Sequence, residues 1–205
     1  MLLKLYPDNP NPRHINLIYN TLKNGGIIIY PTDTVYAMGC DIYNIKAVNK
    51  MAKIKGVALE KADFSLICYD LSNISDFTCP FPNNIFKIMK ANLPGPFTFI
   101  LNANSNVPAI FKSKKKTVGI RVPDNNIIRE IVRTLDNPIA TTSLREDDDI
   151  IEYFTDPELI HEKYEDLVDL VIDGGYGGLE PSTIVDCTED EPMVVRVGKG
   201  TLEKM

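Results

Sequence analysis

The sequence predicts an α/β protein built on a mixed β-sheet, and three observations predict it. Apolar runs rich in β-branched residues alternate with helix-period stretches through the first two thirds of the chain. Strand-like runs then dominate the last third, which departs from pure parallel winding. No internal repeat and no Gly-, Ser- or Pro-rich linker divides the 205 residues, so one domain over 1–205 is expected.

The elements follow in order. "LLKLY" (2–6) reads as a short strand and "PDNPNP" as a turn. Asn11-Pro12 supplies a cap and first-turn proline for a helix whose apolar face is Ile15, Leu17, Ile18 and Leu22, and Gly25-Gly26 stop it. "IIIY" (27–30) is apolar at every position, as a central strand is. Ile45, Val48, Met51, Ala52 and Ile54 set a helical spacing over 44–54. A strand "FSLIC" (64–68), a helix within 82–92 and a strand "FTFIL" (97–101) come next. "TVGIRV" (117–122), a helix over 126–135 and "PIATTS" (138–143) continue the alternation. A helix at 156–164 precedes the strands "VDLVID" (168–173), "STIVD" (182–186) and "MVVRV" (193–197).

Charge and cysteine usage exclude several classes. With 22 basic and 28 acidic residues the net charge is −6, which argues against a wholesale polyanion binder while leaving room for local basic patches. The cysteines (Cys40, Cys68, Cys79, Cys187) form no C-x-x-C pair and stand at no ligand spacing from histidine. No metal site or disulfide framework is expected, and reduced cytoplasmic thiols fit. Pro7 and Asp8 interrupt the start before a signal-length run develops, and no stretch approaches the roughly 20 apolar residues that span a bilayer. A cytoplasmic protein without a membrane segment is expected. His14 and His161 fall in helical, exposed contexts and receive no catalytic role.

Chemistry concentrates at strand ends. In "IIIYPTDTVYAMG" (27–39) Pro31 cannot donate a ladder hydrogen bond, so the strand ends there. Thr32 and Thr34 lie two apart and share one face of an extended segment, either to bond nearby backbone or to meet a ligand at the sheet's end. "DGGYGGLEPST" (173–183) packs four glycines ahead of Ser182-Thr183, a composition that suits a plain turn or a loop cradling phosphate with N–H groups. "LPGPFTFIL" (93–101) reads as a turn opening a strand. Arg121 and Arg196 interrupt apolar strands and need partners, either a carboxylate each or one anionic ligand reached by both.

Taken together, "YPTDTVYAMGCD", "IKG", "LPGPFTFIL", "TVGIRVP", "ATTS" and "PSTIVD…VVRVG", in this order, resemble the YrdC-like family, which includes the threonylcarbamoyl-AMP synthases. The start "LYPDNP" and the block "TTSL" resemble its YciO branch. Ala37-Met38 delay the glycine (Gly39) that the family pattern reaches sooner. The resemblance implies a YrdC-like twisted open mixed sheet with flanking helices and a large, positively lined concave cavity. It implies a single domain, longer relatives carrying a second C-terminal one. It also implies a nucleotidyltransferase that joins ATP, L-threonine and bicarbonate into threonylcarbamoyl-AMP and pyrophosphate, for N6-threonylcarbamoyl modification of tRNA. Mg²⁺ would come with the phosphates.

Carried over position by position, the resemblance implies catalytic roles for Lys55, Thr34 and Arg121, and substrate or nucleotide contacts from Thr32, Tyr36, Ser143, Ser182, Thr183 and Arg196. Charge neutralisation and positioning would dominate such a reaction. Two positions depart: Val57 stands where the K-x-R motif has arginine, and Arg145 where S-x-N has asparagine. These predict slow synthesis. The four acids Glu146 to Asp149 beside Arg145 read as a solvated loop. The run "FKSKKKTVGIR" (111–121) supplies Lys112, Lys114, Lys115 and Lys116, a local footprint for double-stranded RNA or tRNA, or else a solvated turn. An RNA-binding module with little catalysis is therefore the alternative function.

Overall fold

A computed structural model describes residues 1–108, 116–144 and 152–202. Its strands are β1 (Leu2–Lys4), β2 (Ile28–Tyr30), β3 (Ala37–Asp41), β4 (Ser65–Ile67), β5 (Phe97–Asn102), β6 (Thr117–Arg121), β7 (Ile139–Ser143), β8 (Leu170–Asp173), β9 (Thr183–Asp186) and β10 (Met193–Arg196). The helices are α1 (Pro12–Lys23), α2 (Ile45–Ile54), α3 (Asn83–Asn92), α4 (Asn126–Leu135), α5 (Glu152–Thr155) and α6 (Pro157–Tyr164).

Local chemistry sets the helix starts. Asn11 Oδ1 accepts the Arg13 N–H at 2.9 Å with Pro12 in the first turn. Asn44 Oδ1 accepts from Ala47 N–H, Asn125 Oδ1 from Ile127 N–H, and Asp156 Oδ1 from Glu158 N–H. Each satisfies an otherwise orphaned amide of the first turn. On α1 the buried stripe is Ile15, Ile18 and Leu22, and Leu17 lies outside it, 40% exposed.

The strands form one sheet in the order β1-β8-β2-β3-β7-β4-β6-β5-β9-β10. It is mixed: β1–β8, β2–β8, β4–β6 and β5–β9 are parallel, the other neighbours antiparallel. β2 is central, as its uniform apolarity predicts, between β8 and β3. β3 is the element that sequence reading passes over. "AMGCD" looks like the continuation of a polar turn, but all five residues are buried, and the strand pairs with β2 on one side and β7 on the other.

Alternation along the strands assigns two faces. One carries Ile29, Met38, Leu66, Phe99, Ile120 and Val185, covered by buried residues of α2, α3 and α6 such as Met51, Met89 and Ile160. The other carries Ile28, Tyr30, Ala37, Ile67 and Ile139, covered by α1 and α4 through Ile18, Leu22, Ile128 and Ile131. Farther along that second face, toward β6, β5 and β9, the inward positions become Ser65, Gly119, Arg121, Thr98 and Ser182, outside the apolar cluster. Ser65 and Gly119 are only half-buried. This hydroxyl-rich stretch lies outside the helix-covered apolar cluster. Among the described residues no helix is long and apolar enough to cross a membrane.

Candidate active site

The turn between β2 and β3 is built from its own hydroxyls. Thr32 Oγ1 donates to the Val35 carbonyl at 2.7 Å and accepts the Thr34 N–H at 3.0 Å. The two threonine hydroxyls are 2.9 Å apart. Since the Thr32 proton goes to Val35, Thr34 Oγ1 donates to Thr32 and keeps its lone pairs for Arg121, whose Nη2 donates to it at 3.0 Å. The backbone-bonding reading of the motif holds for Thr32, which braces the turn, while Thr34 faces the Arg121 cation.

Arg121 comes from the end of β6, paired in register with Ile67. Its Nη2 donates to Asp33 Oδ1 at 3.2 Å, and Asp33 Oδ2 accepts the Asp124 N–H at 3.1 Å. The Arg121 and Asp33 side chains are 7% and 9% exposed, so this is an interior ion pair. Burial pulls the Arg121 pKa down, while Asp33 and Tyr30 oppose that shift. The buried Nε–H finds no hydrogen-bond partner among the described residues. An orphaned buried donor costs about 1–3 kcal/mol, which an incoming acceptor would recover.

The glycine loop is shaped by this turn. Gly178 N–H donates to the Thr34 carbonyl at 2.8 Å, and a Cβ on Gly178 would stand 2.5 Å from that oxygen. Tyr36, fully buried, donates its hydroxyl to the Gly175 carbonyl at 2.7 Å and accepts the Gly174 N–H at 3.2 Å. Burial, Asp173 and Asp156 push its pKa up against the Gly174 hydrogen bond, so the phenol stays protonated. The glycines therefore allow close backbone approach to the threonine turn, and Tyr36 clamps the loop through its hydroxyl. Ser143 borders the same turn: it pairs with Ala37, and the next residue, Leu144, donates its N–H to the Tyr36 carbonyl.

A second group forms where β9 and β10 meet β5. Ser182 Oγ lies 2.8 Å from Thr98 Oγ1, both buried. Arg196 Nη2 donates to the Ser182 carbonyl at 2.7 Å and to Ser182 Oγ at 3.3 Å. Thr183 Oγ1 donates to the Gly200 carbonyl at 2.6 Å and accepts the Gly198 N–H at 2.9 Å. A Cβ on Gly198 would collide with the Pro181 carbonyl, so glycine there lets the strand following Arg196 close on Pro181-Ser182-Thr183. Lys199 joins the two groups, its ammonium donating to the Asp33 carbonyl. Sequence reading expected Arg196 on an apolar interior strand. The structure puts it at the end of β10, an edge strand with exposed Met193 and Val195, where the backbone carbonyl and hydroxyl of Ser182 accept from it.

Lys55 sits half-buried at the C-terminal cap of α2, on the chain that leads to Ser65, and Val57 two residues on is 37% exposed. Arg145 and the acidic run beside it, and Lys112, Lys114 and Lys115, lie outside the described residues; Lys116 is exposed with φ 56°. His14 and His161 are helical but half-buried, each with an unpartnered buried Nδ1 among the described residues. Thr98, Asp33 and Lys199 are site-bordering residues that sequence reading did not single out for a role. Thr98 shows as the one hydroxyl in "FTFIL", on the strand face opposite its phenylalanines; Lys199 gives no local signal, because the chain turn that aims it is tertiary.

Comparison with known proteins agrees with this architecture. The family model Sua5–YciO–YrdC, described as telomere recombination, matches residues 20–198. YciO of Escherichia coli (strain K12) is 40% identical over 202 residues, 97% of this chain and 96% of its own. The crystal structure of E. coli YciO superposes with a TM-score of 0.91 at 38% identity, covering 99% of this chain and 98% of that one. A putative threonylcarbamoyl-AMP synthase of Methanocaldococcus jannaschii is 32% identical over 211 residues, 100% of this chain and 96% of its own. Sua5 of P. abyssi, solved in complex with L-threonine, shares the fold with a TM-score of 0.86 at 22% identity over 97% of this chain and 57% of that one.

Proposed function

Because the chain belongs to the Sua5–YciO–YrdC family, we propose that it is a nucleotidyltransferase that forms L-threonylcarbamoyl-AMP, at a low rate, for tRNA modification. Threonine and bicarbonate condense to a carbamate with loss of water. A carbamate oxygen then bonds to the α-phosphorus of ATP, the bond from that phosphorus to the β-bridging oxygen breaks, and pyrophosphate departs with its electron pair. The relatives named as threonylcarbamoyl-AMP synthases and the L-threonine complex of P. abyssi Sua5 support the substrate assignment.

The observation that carries the reading is Arg121. It is a buried guanidinium held from below by Asp33, touching Thr34, with an Nε–H still lacking an acceptor among the described residues, on a sheet face lined by hydroxyls. Such a fixed cation suits an oxygen-rich anion that arrives already formed, because it requires no reorganisation when charge develops. Thr34 orients the guanidinium, Arg196 and Ser182 offer a second charged and hydroxylated point, and Lys55 supplies an ammonium from the C-terminal cap of α2. Catalysis here is positioning and charge neutralisation, with no covalent nucleophile. The face offers hydroxyls and guanidinium groups, and its carboxylate, Asp33, is committed to Arg121 and the Asp124 N–H. That donor set fits a Mg²⁺ carried by the nucleotide's phosphate oxygens rather than by protein ligands.

The test is pyrophosphate release and threonylcarbamoyl-AMP formation from ATP, bicarbonate and L-threonine, with threonine omitted as the control. Threonine-dependent product at a rate above the control supports the reading; ATP binding without any threonine-dependent product removes it.

A further inference from the structure

At the carboxyl ends of β3 and β4, where α4 turns into β7, a cleft of about 560 Å³ opens that shares no residue with the face carrying Arg121 and Arg196. Its size falls within the range of small-molecule sites. Tyr43, Tyr69 and Phe77 contribute rings to its lining. Phe77 is buried, whereas Tyr43 stands 55% exposed.

The polar groups sort cleanly into engaged and free. Lys23 lies 3.5 Å from Asp41 Oδ2 and donates to Asn137 Oδ1 at 3.0 Å. Arg133 is 2.7 Å from Glu130 Oε1. The Asn137 amide donates to Asp41 Oδ1 and the Pro138 carbonyl, and that of Asn106 to the Asp76 carbonyl. Both lining cations and these two amides are thus committed. The carboxylates of Asp76 and Asp136 make no ion pair among the described residues.

The local field around those two groups, with Asp41 and Asp70 nearby, also favours a cation. Asp136 closes α4 in the left-handed conformation, φ 59°, at the negative end of the helix dipole, where a carboxylate is disfavoured. Asparagine or glycine closes a helix equally well without charge. Burial first, then Asp41 and Asp76, raises the pKa of Tyr43; burial first, then Asp70 and Asp76, pushes the Cys68 thiol up to about 12. Both walls therefore sense negative potential.

We propose that this cleft binds a small organic cation, an ammonium or amidinium group on a flat apolar body. Tyr43 and Phe77 take the body and the face of the charge, the Tyr69 ring already carrying the Arg129 guanidinium 5.2 Å from its centroid, and Asp76 and Asp136 take its N–H donors. An anion would meet the two free carboxylates with the neighbouring cations already paired.

The probes are tyramine and benzamidine, titrated into the whole chain by calorimetry and by amide chemical-shift mapping, with 4-hydroxyphenylacetate as the same ring bearing the opposite charge. Tyramine or benzamidine is expected to saturate, with shifts confined to Lys23, Tyr43, Asn106 and residues 68–77 and 132–138, and the acid not to bind. Asp76→Asn with Asp136→Asn is expected to weaken that binding at least about tenfold. Both residues are exposed, so the double variant keeps its fold, and its melting curve checks this. No saturable binding of either amine up to about 10 mM, equal binding of the acid, or unchanged affinity in the folded double variant would overturn the proposal.

Discussion

Arg121 and Arg196 occupy the same kind of sequence position, an arginine in an apolar strand, and the structure gives them opposite physical roles. Arg121 stands inside the molecule at 6% exposure, beside a buried carboxylate and a threonine hydroxyl. Arg196 stands on an edge strand and is held by the carbonyl and hydroxyl of Ser182. The first guanidinium has left water, so its partners belong to the fold as much as to the site. The second keeps solvent on one side and is held by neutral groups of Ser182, so its removal strands no carboxylate of the kind Asp33 would be. Sites of this type can keep one rigid cation and one adaptable one. The difference shows on which arginine the fold itself depends.

The sharpest way to break that comparison is Arg121→Ala. It strands the Asp33 carboxylate in the interior, and the expected loss is about 3–5 kcal/mol in urea unfolding. A loss under about 1 kcal/mol would show that water reaches Asp33 and that Arg121 is no interior residue.

Arg196→Ala comes next and tests the other half. Its unfolding midpoint should stay close to the parent's, while ATP affinity falls by about 1.5–3 kcal/mol, as for a charge-assisted hydrogen bond. Calorimetric titration with ATP measures it. Unchanged affinity in the folded variant would remove Arg196 from the nucleotide site, leaving Arg121 as the cation that matters.

Val57→Arg with Arg145→Asn sharpens the comparison by adding a further cation near Lys55. The parent is expected to form threonylcarbamoyl-AMP at least about tenfold more slowly than a relative with the intact K-x-R and S-x-N motifs, about 1.4 kcal/mol in barrier. The double variant should be faster, and if both positions serve one ligand the single changes need not add. Initial rates of product formation decide; a fast parent, or a double variant slower than the parent, would count against the assignment.

The smallest effect is expected from replacing Lys114, Lys115 and Lys116 by alanine. If that run contacts nucleic acid, duplex-RNA binding weakens alike across sequences and its salt dependence flattens, with the strand-end arginines unaffected. Identical affinity and salt slope in the triple variant would leave the run a solvated turn and remove the RNA-binding alternative.

Most strands and helices were legible because burial leaves a period in the sequence. "IIIY" reads as interior because all three residues of β2 are buried, and the 44–54 spacing reads as a helix because Val48, Met51 and Ala52 share one buried face of α2, although Ile45, part of that spacing, is 56% exposed. β3 was not legible. Its five residues include a glycine and an aspartate and show no alternation, and it is a strand because β2 and β7 flank it with open ladder groups on both sides. The motif residues Thr32, Thr34, Ser182 and Arg196 could be picked out by type, but not the direction of their hydrogen bonds.

What the sequence by itself determined is what depends on neighbours along the chain: helix caps at Asn11, Asn44 and Asn125, the strand end at Pro31, and the set of hydroxyls and cations available for chemistry. Only the tertiary structure decided that Asp33 is the counter-ion of Arg121, 88 positions away, that Tyr36 clamps the glycine loop 139 positions on, and that Lys199 reaches back to the threonine turn. The reason is range. A cap or a turn is an energy between residues a few positions apart, whereas a buried charge takes whatever partner the packed sheet brings within about 3 Å, and sequence distance carries no record of that approach.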